Sequence, residues 1–121
     1  MNNKENILKD KSYSFAIRVV KLSQWLVADK KEFVLSKQLL RSGTAVGALI
    51  REAEFAQSKA DFINKLSVSL KEANETEYWL SLLKDTDYID TKMYESMVAN
   101  CKELISLLVA SIKTTKQNNG K

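Results

Sequence analysis

The 121-residue chain contains no proline and only three glycines. These two residue types usually end helices and form the tight turns of β-hairpins, because proline lacks a backbone N–H and glycine adopts left-handed backbone freely. A chain almost without them is expected to form a few long helices rather than many short strands. Its length is that of one domain, so we predict a single domain over residues 1–121.

The apolar residues recur at intervals of three and four, as they do along one side of a helix. They predict four helices with frayed ends, at about residues 12–28, 36–56, 58–84 and 91–115. Ser36, Ser58 and either Asp90 or Thr91 are predicted to cap helices two, three and four. Since short connections make neighbouring helices antiparallel, the predicted fold class is all-α, an antiparallel up-down four-helix bundle.

The residue types that most often carry catalysis are scarce in this chain. It has no histidine, the most common general base and metal ligand, and a single cysteine, Cys101. We interpret Cys101 as a buried packing residue, and Glu72, Glu75 and Glu77 as solvated charges rather than a metal site. The sequence therefore predicts no enzyme activity, no cofactor and no metal.

No segment resembles a signal peptide or a membrane span. The longest uncharged stretches, 42–50 and 104–112, have nine residues each, whereas a span needs about 18. We expect a soluble, cytoplasmic protein that does not bind a membrane.

The net charge of +4 conceals a division along the chain. Residues 1–51 carry a net charge of +6 and residues 52–104 a net charge of −5, while three further lysines follow. A bundle built from these segments is expected to have one basic and one acidic surface. Such surfaces suit either binding of a polyanion or head-to-tail self-association.

Three cations of the second helix, Lys37, Arg41 and Arg51, share one arc that points roughly 150° away from the apolar face. This arc is either a solvated surface, a phosphate-binding stripe or a subunit contact. The candidate nucleic-acid-binding residues are these three together with the N-terminal basic residues Lys4, Lys9, Lys11, Arg18 and Lys21.

Gly43 and Gly47 lie four residues apart on the same helix. Each costs about 1 kcal/mol relative to alanine inside a helix, so a packing role is expected. The missing side chains would let another backbone approach closely, either within the bundle or in another subunit.

An ion pair is predicted between Arg41 and Glu72. If helices two and three pair about a turn near residues 56–57, residues whose numbers sum to about 113 lie side by side. Arg41 then faces Glu72, whose carboxylate can accept from both arms of the guanidinium.

Two runs resemble the bacterial four helix bundle protein family, also called the 23S ribosomal RNA intervening-sequence protein or ribosomal protein S23 family. They are residues 38–53 and residues 58–80, within a resemblance that extends from about Phe15 to Ile89. Relatives often carry serine at the position of Ala45 and asparagine at that of Leu49, so the roles of those polar groups do not transfer.

The resemblance implies an antiparallel four-helix bundle that assembles as a ring of five subunits and is not an enzyme. A related branch, the accessory protein of diversity-generating retroelements, partners a reverse transcriptase and binds nucleic acid through a basic surface. We therefore expect a non-catalytic homo-oligomer that presents basic surface to RNA, DNA or a nucleoprotein partner such as a reverse transcriptase. The alternative is a protein-interaction scaffold whose basic surface is used in subunit contacts.

Overall fold

Four α-helices form the fold of this computed structural model, which describes residues 3–118 and the side chains of residues 6–118. They are α1 (Asn3–Ala28), α2 (Leu35–Ala53), α3 (Lys59–Asp85) and α4 (Thr91–Gln117). Each helix packs against the preceding and following helix, and α4 returns to α1. No strand occurs among residues 3–118. The predicted all-α four-helix bundle is confirmed.

The apolar stripes of the four helices meet in one core. On α1, the predicted stripe is buried as expected at Phe15, Val19, Leu22 and Leu26. On α3, the buried stripe contains two polar residues, Ser69 and Thr76. Glu77 lies at the margin, with a carboxylate oxygen 4.0 Å from Lys102 Nζ. The largest fully buried side chains of α3 and α4 are Leu66, Leu80, Leu83, Met97, Leu104 and Leu108.

Helix α1 begins at Asn3, so the predicted start near Ser12 is wrong. Leu8 continues the buried stripe one turn earlier, but Ser12 interrupts the apolar pattern between Leu8 and Phe15. The Ser12 hydroxyl donates to the carbonyl of Lys9 within the helix at 3.0 Å, which lets this polar side chain lie buried at 1% exposure. A serine whose hydroxyl is hydrogen-bonded therefore takes the place of an apolar residue in the buried stripe.

The sequence predicted Ser36 as the cap of helix α2, but the structure shows that Glu32 caps it. Lys31 adopts a left-handed backbone with φ of 56°, and the following N–H of Glu32 bonds to the carbonyl of Leu26. This reversal places the Glu32 carboxylate over the start of α2, where it accepts from the backbone N–H groups of Val34, Leu35 and Ser36. The charge also suits the positive end of the helix.

The other helix ends follow the sequence more closely. Ser58 accepts from the backbone N–H of Asp61, and Asp90 accepts from that of Met93, so both predicted caps are confirmed. The predicted end of helix two at residue 56 is three residues too late, because residues 54–56 bond three residues back in a tightened turn after Ala53. Helix α4 continues to Gln117, beyond the predicted 115.

Helix α2 approaches both neighbours closely through small residues. On the α1 side, a Cβ built on Gly43 would meet Val19 at 2.7 Å, and one on Gly47 would meet Ser12 at 3.3 Å. On the α3 side, Ser42 is hydrogen-bonded to Thr76 at 2.9 Å. Both glycines therefore permit close packing between helices of the same chain.

Replacing Glu32 by glutamine is expected to destabilise the fold in a pH-dependent way. Desolvation by burial acts to raise the Glu32 pKa, but the backbone hydrogen bonds outweigh it, so the folded pKa lies below the unfolded value of 4.5. The stabilisation is thus complete above 4.5 and is lost as pH falls through the folded pKa. Urea unfolding should show Glu32→Gln less stable by about 1–2 kcal/mol near neutral pH, with the difference shrinking in acid.

The matched control is Asp29→Asn, which removes an exposed carboxylate just after the end of α1. It should change the free energy of unfolding by less than about 0.5 kcal/mol at either pH. A Glu32→Gln deficit that stayed constant into acid would contradict capping by the ionised carboxylate.

Replacing Gly43 by alanine is expected to destabilise the protein by about 1–3 kcal/mol, although alanine favours helix. The new methyl would meet both Cγ atoms of Val19, at 2.7 and 2.8 Å, and this buried β-branched side chain has little freedom to move. Thermal unfolding should show that Val19→Ala in the same chain recovers part of the loss. Gly47→Ala, whose contacts are longer, should stay within about 1 kcal/mol of the parent; equal effects at the two glycines would argue against this packing.

Candidate functional site

A groove of about 430 Å³ runs along the outer side of helices α1 and α2. We call it the α1–α2 groove; its main lining residues are Lys9, Tyr13, Thr44, Ala48, Arg51 and Phe55. Its floor is shallow because Gly47 and Ala48 of α2 carry little or no side chain. Two aromatic rings border it in exposed positions, Tyr13 at 59% and Phe55 at 76%. The groove thus combines open backbone contacts, aromatic faces, two cations and one exposed carboxylate, that of Glu52.

The two predicted cations in this groove differ in their charge environment. Lys9 Nζ lies 2.9 Å from Glu54 Oε1, so its charge is already paired within the chain. The Arg51 guanidinium lies over the Tyr13 ring, 5.8 Å from its centroid, in a cation–π contact. None of the ion pairs between described side chains includes Arg51. Arg51 is therefore the groove cation most available to an anionic ligand.

The predicted arc of Lys37, Arg41 and Arg51 does not form one patch. Arg41 turns toward α3, where its guanidinium contacts Glu75 and lies 3.4 Å from Glu72. Arg51 turns the other way, toward Tyr13 of α1. Lys37 stays exposed. The two arginines share one arc of an isolated helix but are separated here, because Arg41 has its partners on α3 and Arg51 has its partner on α1.

Arg41 joins a small cluster at the α2–α3 boundary. Glu75 also accepts from the indole N–H of Trp79 at 3.0 Å, so it holds both the guanidinium and the ring. Arg41 forms the ion pair with Glu72 that the residue numbers predicted, and it also contacts Glu75, which they did not indicate. Because the Arg41 side chain is 51% exposed, solvent screens the cluster and its contribution to stability is about 1 kcal/mol or less.

The remaining predicted cations lie on several sides of α1. Lys11 pairs with Glu103 of α4 at 3.2 Å, and Arg18 donates to neutral groups of α4. Lys21 is exposed. Lys4 belongs to α1, but its side chain lies outside the described residues. The described candidates therefore do not form one surface: Lys9 and Arg51 line the α1–α2 groove, whereas Arg18 and Lys21 line a separate cavity between α1 and α4.

Cys101 lies in the core, where its thiol donates to the carbonyl of Ala73 at 3.2 Å. Burial, and to a smaller extent the nearby Glu77 carboxylate, raise the pKa of Cys101 to about 12, although Lys102 acts in the opposite direction. A thiol with this pKa is essentially un-ionised near neutral pH and is a poor nucleophile.

Two other properties of the described residues bear on function. Among residues 3–118, no group of three or more cysteine, aspartate or glutamate side chains is arranged to hold a metal ion. No helix in this part of the chain is long and apolar enough to cross a bilayer.

The two aromatic residues of the groove, Tyr13 and Phe55, were not identified from the sequence. Tyr13 lies one helical turn after Lys9, and this spacing could have placed it beside a candidate cation. Phe55 lies in the connection after α2. It carried no periodic signal, because its position at the groove depends on how the chain leaves the helix.

Comparison with known proteins identifies the family. A family model described as 23S rRNA-intervening sequence protein matches residues 4–110. A crystal structure of a protein of unknown function from the S23 ribosomal protein family of Bacteroides thetaiotaomicron VPI-5482 is 60% identical, covers 91% of this chain and 98% of its own, and superposes with a TM-score of 0.90. No curated protein matches the chain. These matches confirm the resemblance seen in residues 38–53 and 58–80, and the chain belongs to the 23S rRNA-intervening sequence protein family.

Proposed function

We propose that this protein is a non-catalytic, cytoplasmic homo-oligomer whose α1–α2 groove binds single-stranded RNA or DNA, alone or within a nucleoprotein such as a reverse-transcriptase complex. The observation that carries the proposal is the grouping of Arg51 with the exposed rings of Tyr13 and Phe55. RNA is the first polymer to test, because the matching family is named after an intervening sequence of 23S rRNA.

The groove has the features that bind unpaired nucleotides. Every base has a π-face, and stacking on an aromatic side chain is worth about 1–3 kcal/mol per base. Arg51 can meet a phosphate while its guanidinium remains over Tyr13, since the cation–π contact uses the guanidinium face and leaves its N–H donors at the edge. The small residues Gly47 and Ala48 let a strand approach the helix backbone.

Assembly of several chains into one oligomer would strengthen the weak electrostatic attraction between a single chain and a nucleic acid. One chain carries a net charge of +4, and five chains in a ring, the number that the family resemblance implies, would carry +20. Each phosphate contact on a single strand releases counterions and adds about −0.7 to the slope of log K against log salt. Repeated grooves on one oligomer would also raise avidity for a long strand.

A protein-interaction scaffold is the second candidate, and a specific observation favours it. Lys9, Lys11 and Arg41 are each paired with carboxylates of the same chain, which lowers the basic charge left for a polyanion. Exposed apolar side chains such as Val34 and Phe55 suit contacts with protein. A scaffold of this kind would bind little RNA even at low salt.

Salt titration of RNA binding separates the two candidates. Binding of a fluorescent single-stranded RNA should weaken steeply between about 50 and 200 mM salt. Arg51→Glu should lower the affinity at least tenfold and reduce the magnitude of the salt slope by about one unit or more, because a cation at the phosphate becomes an anion. Tyr13→Ala should weaken binding with little change in salt slope, since it removes stacking.

Lys37→Glu is the matched control, because it makes the same charge change on an exposed residue at the other end of α2. It should lower the affinity much less than Arg51→Glu. Equal losses for the two variants would reject the groove as the site. Absence of binding by the parent protein at low salt would reject the nucleic-acid function and favour the scaffold.

A further inference from the structure

A second cavity, of about 360 Å³, lies between the second half of α1 and the start of α4. We call it the α1–α4 cleft; its main lining residues are Arg18, Lys21, Leu22, Trp25, Met93 and Met97. Its volume falls within the roughly 300–1,000 Å³ typical of small-molecule sites. It belongs to a different side of α1 from the α1–α2 groove and shares no lining residue with it.

The cleft exists because α1 and α4 make the sparsest contact of the four neighbouring helix pairs. Leu22 and Met97 form its buried floor, while Trp25 and Met93 are partly exposed at its walls. Methionine side chains are flexible and polarizable, so they adapt to ligands of different shape. The floor is thus apolar and open to one side.

The charges at the rim are mainly positive. Arg18 is half-buried and donates to the carbonyl and hydroxyl oxygens of Ser96 and to the side-chain oxygen of Asn100. All of these acceptors are neutral, so they orient the guanidinium without cancelling its charge. Lys21 follows one turn later and is exposed, and no ion pair between described side chains includes either cation.

Two further side chains define the electrostatics of the cleft. Lys30 Nζ lies 5.3 Å from the centroid of the Trp25 ring and adds a third cation near the cleft. Asp90 is the acidic residue among the lining residues, but its carboxylate accepts from the backbone N–H of Met93 at 2.8 Å as the cap of α4. The carboxylate is therefore engaged at the helix start, and the rim keeps an excess of positive charge.

We propose that the α1–α4 cleft binds a small amphipathic carboxylate, a molecule with an apolar chain or ring that ends in one carboxylate group. The apolar body packs on Leu22, Trp25 and Met97, and the carboxylate meets Arg18 and Lys21. The positive rim selects an anion over a neutral alcohol of equal length, and the apolar floor selects a long chain over acetate. This site does not depend on the nucleic-acid function.

Decanoate is a suitable probe, with decanol as its neutral counterpart. The chain has two tryptophans, so Trp79→Phe leaves Trp25 as the reporter inside the cleft. Titration at about pH 7.5, where a carboxylic acid is ionised, should give a saturable change in Trp25 fluorescence. Decanoate should bind at least tenfold more tightly than decanol. Lys21→Glu in the reporter protein should weaken decanoate at least tenfold and leave decanol nearly unchanged.

Two more variants complete the test. Met93→Asn should weaken decanoate and decanol by a similar factor, because it changes the apolar wall and not the charge. Lys37→Glu, the same charge change on α2 away from the cleft, should leave the affinity for decanoate within about twofold. Lys21 is exposed and makes no ion pair with a described side chain, so Lys21→Glu is expected to fold, and circular dichroism checks this.

Three results would overturn the proposal. The first is the absence of a saturable fluorescence change with decanoate up to about 1 mM. A Kd of about 1 mM corresponds to a binding free energy of only about −4.1 kcal/mol. The second is equal weakening by Lys21→Glu and Lys37→Glu, which would indicate a general effect of protein charge. The third is a fall in oligomer mass on Lys21→Glu in sedimentation experiments without ligand, which would assign the cleft to a contact with a second copy of the chain.

Discussion

The close approach of α2 to both of its sequence neighbours is the constraint on which the rest of the bundle depends. Val19 of α1 occupies the space that a side chain at Gly43 would need, and the adjacent Ser42 is hydrogen-bonded to Thr76 of α3. These small residues let three helices pack at short distance, and each buried side-chain nitrogen or oxygen among the described residues has a hydrogen-bond partner. Helix α4 closes the bundle with larger side chains such as Leu104 and Leu108, and its seam with α1 remains loose. The cavity between those two helices is a direct consequence.

The charges of the chain act mainly at the boundaries between helices. Ion pairs link α1 to α4 through Lys11, and α2 to α3 through Arg41 and Lys65. The basic first half of the chain is thus partly neutralised by the acidic second half inside one subunit. Arg51 and Lys21, like Arg18 and Lys37, take part in none of the ion pairs between described side chains; Arg51 lies over an aromatic ring and Lys21 is exposed. The surfaces available to anionic ligands are therefore those that carry these unpaired cations.

Helix α1 links the two proposed binding regions, because one side of it borders the α1–α2 groove and another the α1–α4 cleft. Both regions join exposed aromatic or sulfur-containing side chains to cations. Cys101 has the side chain that would be the strongest nucleophile if ionised, but it is buried, and burial raises its pKa. Recognition through apolar contact and charge is the chemistry this arrangement supports.

The sequence by itself determined the helical elements, most caps and the core stripes, because these depend on the 3.6-residue period and on contacts within a few residues, as at Ser58 and Asp90. It also led to the family, through residues 38–53 and 58–80. Which side chains meet across helices depends instead on how the four helices pack. The groove of Tyr13, Arg51 and Phe55 depends on the offset and rotation of α1 against α2. Packing sets those quantities, and no local period encodes them.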